Sequence, residues 1–213
     1  MRWAAAIALV ACGGGSSSSD TRDVPLPDRV EAGADATPST PPPPPDPPPP
    51  PSDAGADASG CPGAAGCQRI VFATSTLYVG NVIGGYAGAD AKCQAAASAS
   101  INAGVKNGTF VAWISTQGSA AKARLVHGTK PYVKPSGAKV ANDWTDLTKG
   151  SLQSGIGEDE NGVTVGGEAW TGTTTAGSSG PNECDAWTAT GTNGAAGNVG
   201  GSGSGWSDGN ASV

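Results

Sequence analysis

Residues 41–51 are all proline except Asp46, and this run divides the chain into parts that obey different rules. Fourteen of the 17 prolines fall between residues 25 and 62, and the rest of 13–60 is mostly Gly, Ser, Ala and Asp. Proline has no N–H for a ladder and a fixed φ. Such a run therefore takes the polyproline II form, rising about 3.1 Å per residue with no internal hydrogen bonds. So little apolar surface cannot offset the entropy of ordering, and the segment is expected to be disordered. It carries Arg22 and Arg29 against eight acids, a net of −6, which equals the formal charge of the whole chain. Self-repulsion extends it further. The expectation is an acidic stalk over residues 12–67.

Ahead of the stalk stand Met1, Arg2 and Trp3, an apolar run over 4–11, and Cys12. The tetrapeptide Leu9-Val10-Ala11-Cys12 resembles a bacterial lipobox. That resemblance implies a signal peptide over 1–11, cleavage before Cys12, and a lipid on the Cys12 thiol and amine. The thiol serves as the nucleophile for diacylglyceryl transfer, and the small residues before it fit the peptidase. The apolar run is far short of the roughly 20 residues that span a bilayer. It is also shorter than the usual signal of about 15–30 residues. Gly13 rather than Asp follows the cysteine, so the inner-membrane retention signal of lipoproteins is not seen. The implied location is the bacterial envelope, at the outer membrane or cell surface, with the lipid bilayer as one partner.

Residues 68–213 have the length of one ordinary domain. Their nine basic and ten acidic side chains are unevenly placed: every Lys and Arg lies at or before Lys149, and seven acids follow it. The last third is thus expected to be an acidic, Gly-rich surface that attracts cations and repels nucleic acid. The apolar patterning predicts an α+β domain. Strands are expected over 69–74, 109–115, 169–172 and 186–188, and a helix over 87–100 with Cys93 and Ala97 on one face. A short helix over 120–125 is expected to turn Lys122 and Arg124 outward. A hairpin is expected around Pro135-Ser136-Gly137 and a helical turn over 143–148. Asn161-Gly162 is a candidate type I′ turn. Aliphatic residues are few, so Trp113, Trp144, Trp170, Trp187 and Trp206 must fill much of the core, each burying on the order of 200 Å². Stacking on a sugar face is the functional alternative for any of them.

In order, the chain reads VFATSTLYVGNVIGGYAGADAKCQAAA, GTFVAWIST, RLVHGTKPYV, VANDWTDLTKG, DENG, WTGT, CDAWT and GWSDGNASV. This series resembles the bacterial domain of unknown function fifteen-fifty-four, over residues 69–213. The resemblance implies a C-type-lectin-like, endostatin-like fold on secreted or lipid-anchored proteins, with no assigned activity. Sugar-binding lectin-like domains hold calcium with a Glu-Pro-Asn or Gln-Pro-Asn loop and a Trp-Asn-Asp strand. The matching pieces here are Gly180-Pro181-Asn182-Glu183 and Trp206-Ser207-Asp208. Asn182, Glu183 and Asp208 form the candidate calcium or ligand loop, too few for a tight calcium site on side chains alone.

With Cys12 acylated, Cys61, Cys67, Cys93 and Cys184 remain, which allow three disulfide connectivities. A local Cys61–Cys67 bridge is easy in an oxidising compartment and leaves Cys93 with Cys184. The resemblance implies otherwise: the helix cysteine would pair in a closing strand beyond Val213, and Cys184 with a cysteine after the Trp-x-Asp segment. On that reading the domain lacks its C-terminal strand and exposes a sheet edge. Both pairings stay open.

Chemistry-bearing motifs are sparse. His127 is the single histidine, so no His-x₃-His metal pair exists. Gly201-Ser-Gly-Ser-Gly205 lacks a central serine for a nucleophile elbow. No phosphate-binding loop of the Gly-x₄-Gly-Lys kind occurs. Glu158-Asp159-Glu160 is a poor glycosidase pair, because neighbouring acids on a turn diverge. The expected function is therefore not enzymatic. It is a lipid-anchored module that binds a glycan or protein through its loop-rich half, or else an envelope spacer with no specific ligand.

Overall fold

The computed structural model describes residues 5–12, 68–182, 184–188 and 194–209, with the backbone alone for 5–12 and Cys184. Residues 13–67, with Cys61 and Cys67, and Glu183 lie outside the described residues, so the expected stalk and those three candidates fall there. The architecture is α+β. The strands are β1 (Ala5–Cys12), β2 (Arg69–Tyr78), β3 (Thr109–Ala112), β4 (Tyr132–Val133), β5 (Lys139–Ala141), β6 (Glu168–Trp170) and β7 (Ala196–Asn198). They form one sheet in the order β5-β4-β2-β1-β6-β7, with β3 also paired to β1. The helices are α1 (Gly85–Ala99) and three single turns, α2 (Ala103–Lys106), α3 (Ala121–Arg124) and α4 (Trp144–Leu147).

The leader-like segment is thus the central strand. β1 runs parallel to β2, with Ile7 opposite Val71 and Cys12 opposite Tyr78. On its other edge its first half runs parallel to β3, and Val10 and Ala11 pair antiparallel with Trp170 and Ala169 of β6. An apolar run of eight residues with no charge is also what a strand buried on both faces looks like.

Successive strand residues face opposite sides of a sheet, and the core divides accordingly. Phe72, Phe110, Ala112, Ile114 and Trp170 join Ala89, Cys93 and Ala97 of α1 on one face, with Trp187. Val71, Ala73, Trp113 and Ala169 join Leu147, Leu152, Ile156, Val199 and Trp206 on the other. Four of the five domain tryptophans are almost fully buried. Trp113 packs on Trp206 at 5.1 Å and Trp170 on Trp187 at 5.5 Å between ring centroids.

Side chains close the outer edge of β3 where no strand lies. Asp90 and Gln94, one helical turn apart on α1, accept from the N–H groups of Ala112 (2.8 Å) and Phe110 (2.9 Å). Arg124 donates to the carbonyls of Ala112 (3.0 Å) and Ile114 (2.8 Å), and its other nitrogen pairs with Asp90 at 3.0 Å. Arg124 therefore points inward, against the sequence expectation. A helix of one turn has no apolar stripe from which its outward face can be read, and the open carbonyls of β3 attract the guanidinium. Lys122 does face solvent, donating to Ser178. Burial pushes the Asp90 carboxyl above its ordinary range, against the pull of Arg124.

Three further expectations are corrected. β2 extends to Tyr78 because β1 pairs with it that far. Residues 184–187 make one turn instead of a strand, with Asp185, Ala186 and Trp187 at φ 49°, 55° and 65°, in the left-handed region. This turn delivers the Trp187 carbonyl to the Gly84 N–H at the start of α1. At Asn161-Gly162 only Gly162 has positive φ (83°), and its N–H bonds back to the Asp159 carbonyl, so the turn is not type I′. The expected hairpin (β4–β5) and the α4 turn are present, with Asp143 capping α4 through the Asp146 N–H.

Arg124→Ala should cost about 3–5 kcal/mol, because it leaves two carbonyls without donors and Asp90 without its counter-ion. Urea unfolding measures this. A loss below about 1 kcal/mol would mean that the guanidinium closes nothing, since exposed pairs are worth that little.

Candidate functional site

The two pieces that match the calcium-loop pattern both reach β7. The Asn182 carbonyl accepts from the Ala195 N–H at 2.9 Å, and Ala196 forms an antiparallel bridge with Gly209. Asn182 and Asp208 are both exposed and border the same strand from its two sides. Among the described residues no three His, Cys, Asp or Glu side chains converge on a metal position.

Ser207 occupies the place of the pattern's asparagine, and it is fully buried. Its hydroxyl accepts from Trp113 Nε1 (2.7 Å) and donates to the Thr173 carbonyl (2.7 Å). Thr171 donates to the Ser207 carbonyl, and Thr173 Oγ1 lies 2.9 Å from the Ser115 hydroxyl. Trp187 Nε1 donates to the Ser115 carbonyl at 2.8 Å. Ser207 is thus the knot of a buried polar network that ties two tryptophans to two loops. Its atoms are engaged inward and cannot serve a ligand.

The acid turn is also structural. Glu158, Asp159 and Glu160 are all buried, so three of the seven acids expected on an open acidic surface are not there. Glu158 accepts from the N–H (3.0 Å) and hydroxyl (2.7 Å) of Ser136, with Lys134 at 3.6 Å. Asp159 accepts from the N–H groups of Asn161 and Val163 (2.9 Å each). Glu160 accepts from the N–H and hydroxyl of Ser75. The three carboxylates diverge, as expected of neighbours on a turn. Asp159 closes its own turn, while Glu160 and Glu158 tie that turn to β2 and to the hairpin. A carboxylate that accepts backbone N–H bonds can be buried at little cost, and sequence alone does not show which N–H groups are open. Asp146 is a fourth organised carboxylate. Lys149 first, then the Asn142 N–H and Gln153, hold it down to about 2.

Among the described residues no indole is available as a sugar platform. Four are buried, and the half-buried Trp144 is covered by the His127 ring, stacked at 4.1 Å and 12°. His127 is exposed, with its Nε2 at 2.7 Å from the Lys122 carbonyl, so this nitrogen carries the proton. Cys93 is buried on α1, and burial raises its thiol far above the ordinary range. The turn that begins at Cys184 packs against the same helix. The described surface also offers aliphatic side chains: Leu77, Val79 and Val82, close in sequence at the end of β2 and the 3₁₀ turn after it, are 62 %, 43 % and 51 % exposed, and Ile101 and Val163 stand exposed elsewhere in the sequence. No sequence expectation singled them out, although three aliphatic residues within six positions of a chain so poor in them is a readable signal.

In comparison with known proteins, no family model and no curated sequence matches this chain.

Ser207→Ala should leave Trp113 Nε1 and the Thr173 carbonyl without partners and cost about 2 kcal/mol. Thermal unfolding should fall by about 6 °C for a domain of this size. An unchanged midpoint would show that the network does not hold the two loops together.

Proposed function

We propose that this chain is a lipid-anchored bacterial envelope protein whose folded unit, of C-type-lectin-like architecture, binds a polypeptide ligand. Cys12 carries the lipid, residues 12–67 form the stalk, and the unit stands clear of the membrane at its end. The observation that carries the choice of ligand is the pairing of shut indole faces with an open aliphatic trio. A glycan site needs an aromatic face and convergent polar groups, whereas Leu77, Val79 and Val82 suit the apolar side chains of a protein. The spacer reading leaves that trio without a purpose, because an isolated spacer gains nothing from three exposed aliphatic side chains in one place.

Two measurements test this reading. Cells making Cys12→Ser should lose palmitate incorporation into the protein, and unchanged labelling would remove the anchor. The mature lipidated chain, extracted in detergent, should retain envelope proteins on a column and leave a glycan array blank, and Leu77→Asp with Val82→Asp should abolish the retention. Glycan binding that survives the double substitution would contradict the choice of ligand.

A further inference from the structure

We propose that the gap between β2 and the pair β3 and β6 is a strand-acceptor site. The unprocessed chain fills it with its own residues 5–12. After cleavage before Cys12, it receives an extended apolar strand of a partner polypeptide. This deepens the reading above and rests on it for the cleavage step, while the acceptor itself rests on the sheet.

Among the described residues β1 alone connects the two halves of the sheet: β2 otherwise keeps β4, β6 keeps β7, and β3 pairs with no other described strand. The hydrogen-bonding groups on each side are directed into the gap. In β2 the N–H groups of Arg69 and Ala73 go to Pro131 and Glu158, on the far side. Alternation then turns Phe72 toward β1. In β3 the N–H groups of Phe110 and Ala112 go to Gln94 and Asp90 on α1, which turns Val111 toward β1. An empty gap would leave these donors and their carbonyls open between two buried apolar clusters.

The ladder partners define what fits. The residues beside β1 are Val71, Phe72, Ala73, Leu77 and Tyr78 on one edge, and Thr109, Phe110, Val111, Ala112, Ala169 and Trp170 on the other, apolar but for the Tyr78 and Thr109 ends. The occupant is about eight residues long, uncharged and small, and it runs parallel to β2, as Ala-Ala-Ile-Ala-Leu-Val-Ala-Cys does. The stalk supplies no substitute, since residues 13–67 contain no run of more than two apolar residues. The bond between Ala11 and Cys12 lies within the ladder, opposite Leu77 and Tyr78. Cleavage therefore has to precede insertion, and a cleaved chain keeps an open acceptor. The exposed Leu77 marks the end at which an incoming strand would leave the sheet. Main-chain bonds supply affinity in such strand addition, and side-chain size supplies selection.

The test uses the full chain carrying Ala8→Pro, which removes a ladder N–H from the centre of β1. Hydrogen exchange at Phe72 and Val111 should quicken by at least about tenfold relative to the unsubstituted chain. A synthetic peptide of residues 5–12, flanked by lysines, should restore the protection, and the same peptide with Asp at the Ile7 and Leu9 positions should not. Exchange unaffected by Ala8→Pro would overturn the proposal. So would lost protection that the peptide does not restore. If Ala8→Pro unfolds the chain, the chain beginning at Cys12 takes its place: refolding by the peptide supports the acceptor, and failure to refold overturns it. Palmitate labelling reports on the anchor separately, so the two readings can fail independently.

Discussion

A single strand joins the two halves of this sheet, and the rest of the packing follows from that constraint. β1 holds β2 along one edge and both β3 and β6 along the other. Because these three strands are aligned through it, Phe72, Phe110 and Trp170 reach the α1 side together, and Val71, Trp113 and Ala169 reach the loop side. A slip of one residue at β1 would exchange these faces. The outer edge of β3 needs no further strand, since Asp90, Gln94 and Arg124 take its backbone groups.

A domain this rich in glycine and serine compensates for its shortage of aliphatic residues in two ways. The first is tryptophan, whose large rings fill both layers, with the N–H groups of Trp113, Trp170 and Trp187 finding acceptors in Ser207, Tyr78 and Ser115. The second is close approach of backbones. A Cβ at Gly197 would stand 2.0 Å from the Trp206 carbonyl oxygen, and one at Gly155 would stand 2.2 Å from that of Gly200. The glycines near the end of the chain, which look like loop filler in the sequence, thus let β7 lie against the Trp206 turn.

Local pattern made part of this legible. The α1 stripe of Ala89, Cys93 and Ala97, the β4–β5 hairpin and the tryptophan core follow from spacing and residue type alone. Function in the apolar run over 5–12 does not, because a signal-peptide core and a buried strand obey the same rule of continuous hydrophobicity. Arg124 and the acid turn were misplaced for a shared reason. Their partners are backbone N–H and carbonyl groups left open by strands far away in sequence, and composition carries no trace of those. The Ser207 knot is hidden in the same way: its segment matches part of a calcium pattern, and its serine serves the core. The Ala-Trp-Thr composition of residues 186–188 predicts a strand, whereas the tertiary contact of Trp187 with Gly84 goes with a left-handed turn at Ala186 and Trp187.

Residues 5–12 are bound within the sheet and are not merely attached to it through the chain that follows them. Trypsin cuts after Arg22 and Arg29 of the full-length chain sever that attachment. Gel filtration of the cut protein then reads the strand directly. The N-terminal peptide should co-elute with the folded domain and separate only on unfolding. A peptide that elutes alone while the domain keeps its unfolding midpoint would contradict it.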